Sequence, residues 1–198
     1  MAGYSTLTDV IEATFTAGVQ YISIYAFSTE NWKRDSKEVS NLMKLSLHAF
    51  SHDLKRLVRD KIRVRFLGIP DGLSGKIIDV IHRVEDATGS FEGRTLAVCF
   101  NYGGQQEIVD AVRKCYDDGL GRDDVTAEAI TARLYAPEIP PVDLVVRTSG
   151  EHRLSNFMTW RTVYSELLFL DKYWPDMRPE DVTAIIQEYN RRQRRFGS

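Results

Sequence analysis

Short runs rich in β-branched and aromatic residues alternate with longer stretches of helical period along the whole chain. No other feature constrains the fold as strongly. Leu7, Val10, Ile11, Phe15 and Val19 recur at helical spacing behind Ser5 and Thr6, which predicts a helix near the start. Residues 21–27 follow as a strand. A long helix begins near Asp35 and Ser36, with Val39, Leu42, Met43, Leu47, Phe50, Leu54 and Leu57 as its apolar stripe. Ile62, Val64 and Phe66 alternate with Arg63 and Arg65 as a half-buried strand ended by Gly68 and Pro70. Ile77, Ile78, Ile81 and Val84 mark a helix, residues 95–100 a strand, and Ile108, Val109 and Val112 another helix. A short helix over residues 125–135 is broken by Pro137, Pro140 and Pro141. Residues 144–146 and 167–170 read as strands, and Val182, Ile185, Ile186 and Tyr189 carry a last helix. Such alternation requires right-handed βαβ crossovers. It predicts an α/β fold with a mostly parallel central sheet flanked by helices on both faces. The length of 198 residues suits a single domain, residues 1–198.

In parallel sheets ligands gather beyond the carboxyl ends of the strands, so the segments after each strand matter most. Ser28-Thr29-Glu30-Asn31-Trp32-Lys33-Arg34 follows the first strand and offers hydroxyls, an amide, an indole and two cations. It can hold an anion and shield an apolar tail. It also reads as a capped helix entry, with Asp35 and Glu38 forming a capping-box-like pair. After residues 144–146 come Arg147 and Arg153, six apart, with Ser149 and Gly150 between them and Ser155 beyond. Guanidinium forks suit phosphate oxygens, and Ser/Gly backbone approaches them closely. The alternative is two surface arginines paired to Asp143 and Glu151. Glu166 precedes an apolar strand, either as a paired edge charge or as a metal ligand. Asn101-Tyr102-Gly103-Gly104 opens a helix whose free amides could take an anion, although a tight packing turn is the simpler reading. His48 and His52 lie four apart with no third ligand nearby and are expected on the surface.

Absences narrow the classes further. With 26 Lys and Arg against 28 Asp and Glu, net charge −2, the chain is no general polyanion binder, and no nucleic acid is expected. No phosphate-binding Gly-x-x-x-x-Gly-Lys-Ser/Thr loop and no Gly-x-Gly-x-x-Gly turn occurs, which argues against nucleotide cofactors. No apolar run approaches the ~20 residues of a membrane-spanning helix, and no signal peptide is visible. Cys99 and Cys115 are expected as buried free thiols, and the location as cytoplasmic.

At several of these segments the chain resembles the cis-prenyltransferases, the undecaprenyl diphosphate synthase family. The likeness rests on residues 25–32, 101–104, 147–157, 164–166, 174–176 and 195–197, in order and over nearly the whole chain. It implies condensation of isopentenyl diphosphate with an allylic diphosphate, farnesyl diphosphate being typical, to a Z-polyprenyl diphosphate that serves as a lipid carrier precursor for the cell wall. Magnesium (Mg2+) is the implied cofactor. By the same resemblance Arg147, Arg153 and Ser155 hold isopentenyl diphosphate. Ser28, Asn31, Trp32 and Arg34 form the flexible loop at the reacting centre, and Glu38 helps to close it. Ala26, Leu42, Met43, Leu47 and Phe50 line the product tunnel, and Glu166 is the metal-site glutamate. Arg195 and Gly197 belong to a tail reaching a partner's site in a homodimer, whose product goes to the membrane, where the protein could sit peripherally. The chain departs from the family in one respect. The family's Asp-Gly-Asn-Gly-Arg-Trp loop, which binds the allylic diphosphate and supplies a magnesium aspartate, has no counterpart here. The domain is therefore expected to be amino-terminally incomplete, and residues 1–198 alone not to elongate chains at a useful rate. A non-catalytic prenyltransferase-like subunit that binds isopentenyl diphosphate is the second reading.

Overall fold

A computed structural model describes residues 2–192. In chain order the elements are α1 (Ala2–Thr16), β1 (Tyr21–Ser28), α2 (Ser36–Arg59), β2 (Arg63–Leu67), α3 (Gly75–Thr88), β3 (Thr95–Tyr102), α4 (Gly104–Asp117), α5 (Ala127–Thr131), β4 (Leu144–Arg147), β5 (Glu166–Phe169) and α6 (Pro179–Arg191). Short 3-10 turns cover Thr29–Lys33, Arg122–Asp124 and Trp174–Asp176. The first helix begins at Ala2, close to the start as its apolar spacing predicts. The expected 125–135 helix contracts to the five residues of α5, where Thr126 accepts from the amide of Ala129 and caps it.

The elements fall into two compact units. One comprises residues 21–140 and 155–160 and holds a three-stranded sheet in the order β1-β3-β2, both pairs parallel. Every residue of the central β3 is buried, as expected for a parallel strand covered on both faces. Its apolar side chains, with Phe27, Val64 and Leu67 from the neighbouring strands, form the core of this unit. Cys99 and Cys115 are buried free thiols, as the sequence predicts. α2 packs on α3, and α3 on β2.

The other unit comprises the described residues up to 20, 141–154 and 161–192. It pairs β4 and β5 in parallel and packs α1 against α6. Thr6 Oγ1 donates to the carbonyl of Pro175 (3.1 Å), and Trp174 Nε1 to that of Gly3 (3.0 Å). The predicted class holds: a mixed α/β fold of parallel sheets flanked by helices. The strand pairing divides into three and two strands because the chain leaves the first unit after Pro140 and returns to it at Ser155.

Candidate functional site

At the carboxyl end of β1 the pairing with β3 slips. Tyr25 pairs with Cys99 and Phe27 with Phe100, leaving Ala26 as an extra, exposed residue. Such a bulge re-aims the strand end that leads into the Ser28–Arg34 segment. The backbone N–H of Ser28 donates to Asn31 Oδ1 (2.9 Å), so Asn31 closes the 3-10 turn upon itself. Trp32 is half-exposed. Its ring stands edge-on to Phe27, with centroids 5.2 Å apart, and its Nε1 donates to Asn101 Oδ1 at 2.7 Å. Asn101 is buried, with φ 51°, a conformation asparagine tolerates better than most residues. Its amide nitrogen donates to the carbonyls of Ile69 and Asp71, both at 2.8 Å. One side-chain amide thus ties the β1 loop to the loop after β2. Gly72 lies under the Trp32 ring, where an added Cβ would stand 3.5 Å from it.

The helix entry behaves differently from a capping box. Asp35 does cap α2, accepting from the amide of Lys37 at 2.9 Å. Glu38 instead pairs with Arg34 at 2.6 Å, because a guanidinium four residues back offers a charged donor. Ser28, Asn31, Trp32, Arg34 and Glu38 therefore do come together in one segment, as expected.

The helix start after β3 is filled from within. Asn156 accepts from the amide of Gly104 with its carbonyl and from that of Gln105 with Oδ1, both at 2.8 Å. Two of the amides that could have taken an anion are thus already in use. Gly103 and Gly104 are needed for this approach: a Cβ on Gly103 would lie 2.7 Å from Thr29 Oγ1, and one on Gly104 2.4 Å from Thr159 Oγ1. Asn156 Nδ2 donates to Glu30 at 2.9 Å. Burial pushes the Glu30 carboxyl up. Hydrogen bonds from Asn156, from its own backbone and from Ser28 and Thr29 outweigh that and hold it below the ordinary carboxylate value. Phe157 stacks on Tyr25 with centroids 5.0 Å apart. Below, buried Glu107 accepts from Tyr102 Oη (2.6 Å) and from the amide of Tyr135 (3.0 Å).

In the other unit β4 ends at half-buried Arg147, whose carbonyl accepts from the amide of Leu170 at 2.8 Å. The next turn is pinned by backbone, Ser149 N–H to Lys172 O and Gly150 N–H to Leu170 O, both at 2.9 Å. His152 stacks on Phe169 with centroids 4.9 Å apart. Arg153 is largely exposed and pairs with Glu151. Ser155, with φ 51°, belongs to the first unit.

The apolar stripe of α2 is sealed only near its ends, at Val39 and Leu57; Leu42, Met43, Leu47 and Phe50 stay half-buried. Phe50 meets Phe66 and Phe100 edge-on, at 4.9 and 5.3 Å between centroids.

Glu166 opens β5, and its carboxylate accepts from Arg192 Nη1 at 2.9 Å; Arg192 also donates to the carbonyl of Leu167 and to Glu188. The Glu166 bond first, then Glu188, pushes the guanidinium further up. Among the described residues no three His, Cys, Asp or Glu side chains gather as a cation site. Glu166 meets the Arg192 guanidinium through Oε2 only, and a single carboxylate so engaged does not by itself make a magnesium site. Arg195 and Gly197 lie outside the described residues. The sequence did not mark the side chains of Asn101 and Asn156 as anchors of the site. Asparagine beside a glycine pair at a strand end was the available signal for Asn101.

The family model described as "Putative undecaprenyl diphosphate synthase" matches residues 1–197. An isoprenyl transferase of Thermotoga maritima is 41% identical over 197 residues, covering 98% of this chain and 84% of that protein. One of Fusobacterium nucleatum is 42% identical, covering 100% and 84%. Among solved structures, a "probable undecaprenyl diphosphate synthase" from Campylobacter jejuni superposes with TM-score 0.91 at 28% identity, covering all of this chain and 92% of that one. Lavandulyl diphosphate synthase from Lavandula x intermedia, in complex with dimethylallyl diphosphate, superposes with TM-score 0.93 at 28% identity, covering 100% and 87%.

Proposed function

Because the chain belongs to the undecaprenyl diphosphate synthase family of prenyltransferases, we propose that it extends farnesyl diphosphate with isopentenyl diphosphate to a Z-polyprenyl diphosphate, a lipid carrier precursor. The carbon–oxygen bond of the allylic diphosphate breaks and diphosphate leaves with the bonding pair. The alkene of isopentenyl diphosphate attacks the allylic carbon, and loss of a proton leaves the new double bond. The family uses a metal ion. Magnesium is our proposal for it, since hard cations suit diphosphate oxygens, and none of the assignments below depends on it.

The observation that carries this reading is the pair Arg147 and Arg153 around a backbone-pinned Ser149-Gly150 turn at the carboxyl end of a parallel strand. Parallel sheets bind anions at that end. These arginines take the isopentenyl diphosphate. Ser28, Asn31, Trp32, Arg34 and Glu38 order the reacting centre, and Ala26, Leu42, Met43, Leu47 and Phe50 accept the growing chain. A homodimer is part of the reading. Val163, Tyr164 and Leu167 expose apolar surface in the unit that carries β4 and β5, where a two-fold contact could cover it. Arg195 and Gly197 would serve the partner's site.

Three measurements test it. Arg147→Ala and Arg153→Ala should each weaken isopentenyl diphosphate binding tenfold or more in calorimetry, at ~1.5–3 kcal/mol for a charge-assisted contact. Unchanged affinity in both variants overturns the assignment. Incorporation of labelled isopentenyl diphosphate with farnesyl diphosphate and magnesium tests the reaction, and light scattering at micromolar concentration tests the dimer.

A further inference from the structure

Helix α2 carries a second face that the reading above leaves unused. Positions 37, 41, 44, 48, 52, 55 and 59 recur at intervals of three and four, so they share one side of the helix. Lys37, Asn41, Lys44, His48, His52, Lys55 and Arg59 fill it, and all are exposed. No carboxylate stands among them. The two acids of α2 have partners: Glu38 binds Arg34, and Asp53 lies 3.8 Å from Arg56 and 3.7 Å from His52. Arg59 is paired with Asp60 at 2.8 Å, whereas Lys37, Lys44 and Lys55 make no ion pair among the described residues. The helix holds five cationic residues against two acidic ones, in a chain of net charge −2. The helix carries a local positive excess.

We propose that this face of α2 docks the protein on an anionic lipid bilayer. At ~1.5 Å per residue the stripe runs roughly 33 Å along a straight rod. Lys37, Lys44 and Lys55 then stand about 10 and 16 Å apart by the same rise, too far to share one small anion. An extended, flat array of negative charge meets all three at once. Between the two polyanions of that kind, the flanks decide. Leu45 and Val58 border the stripe at 41% and 39% exposure, apolar contacts that suit a lipid surface, and the stripe's two rings, His48 and His52, stack on each other with centroids 5.7 Å apart. The apolar side of α2 is turned to its own unit, so attachment is by charge at the headgroup level. No described helix is long and apolar enough to cross the membrane. Docking follows from the helix face alone. What it serves rests on the proposed reaction, whose product is itself a lipid.

The test is co-sedimentation of the full chain with vesicles at low salt. The expected result is binding to equimolar phosphatidylglycerol and phosphatidylcholine, none to phosphatidylcholine alone, and release by raised salt. The triple variant Lys37→Gln, Lys44→Gln, Lys55→Gln should lose on the order of a hundredfold in partition, at about fivefold per lysine near an anionic surface. Its isopentenyl diphosphate affinity should be unchanged in calorimetry, which separates this proposal from the fate of the substrate reading. Charge reversal to Glu at the same positions should abolish sedimentation, and the Gln variant keeps the test readable if reversal unfolds the protein. Equal sedimentation with neutral vesicles, wild-type binding by the Gln variant, release by inorganic phosphate at constant ionic strength, or tighter binding to single-stranded RNA would each overturn it.

Discussion

The segment after β1 and the segment after β4 both leave the carboxyl end of a parallel strand, yet they are held by opposite means. The first is fixed by side-chain amides: Asn31 closes its turn, Asn101 holds Trp32, and Asn156 holds Glu30. The second is pinned by backbone, through the amides of Ser149, Gly150 and Leu170. Substitution in the first should disturb shape. Substitution in the second should remove charge and leave shape alone.

The sharpest way to break this contrast is Asn101→Ala. That side chain is buried and makes three hydrogen bonds, to Trp32, Ile69 and Asp71. Each is worth ~1 kcal/mol, and the buried partners left behind cost more. Alanine also tolerates the left-handed backbone at this position poorly. A loss of about 3 kcal/mol in urea denaturation is expected, together with loss of prenyl transfer. Arg147→Ala should stay within ~1 kcal/mol of wild type in the same assay, as exposed or half-exposed substitutions do. If the two variants are equally stable, the side-chain and backbone modes of support are not different in kind.

The same contrast explains what the sequence made legible. All five strands could be read from local composition, β3 best, because eight consecutive residues are buried and need no partner to be recognised. The chemistry of Ser28, Trp32 and Arg34 was legible from residue type after a strand. The anchors were not. Asn101 lies 69 residues from Trp32, and Asn156 lies 126 from Glu30, and no periodicity spans such distances. Glu166 shows the same limit, since its partner Arg192 is 26 residues away and turns a possible metal ligand into half of an ion pair. The division of the sheet also escaped local reading, because it depends on where the chain crosses between units.

A smaller effect sharpens the charge side of the contrast. Arg153 is paired with Glu151, so part of its charge is spent before any diphosphate arrives. Exposed pairs of this kind are worth about 0–1 kcal/mol. Glu151→Gln should therefore tighten isopentenyl diphosphate binding by up to about fivefold in calorimetry, with stability unchanged. Weaker binding in that variant would mean that Glu151 positions the guanidinium and does not compete for it.

The smallest expected effect concerns acid stability of the first segment. Hydrogen bonds from Asn156, the Glu30 backbone, Ser28 and Thr29 overcome desolvation and hold the Glu30 carboxyl below its ordinary value of 4.5. A carboxylate depressed in the folded state binds fewer protons there than in the unfolded chain. Its contribution is thus fully present above pH 4.5 and is lost as pH falls through the lowered folded value. Glu30→Gln keeps a hydrogen-bond acceptor for Asn156 but cannot titrate. The stability difference between wild type and Glu30→Gln, read by denaturant titration from neutral pH downward, should be constant at neutral pH and shrink through the acid range. The exposure of Glu30 keeps that difference small. A difference that stays flat across the whole range would show that the Asn156 contact acts by shape alone, so that the amide network of the first segment carries no electrostatic part.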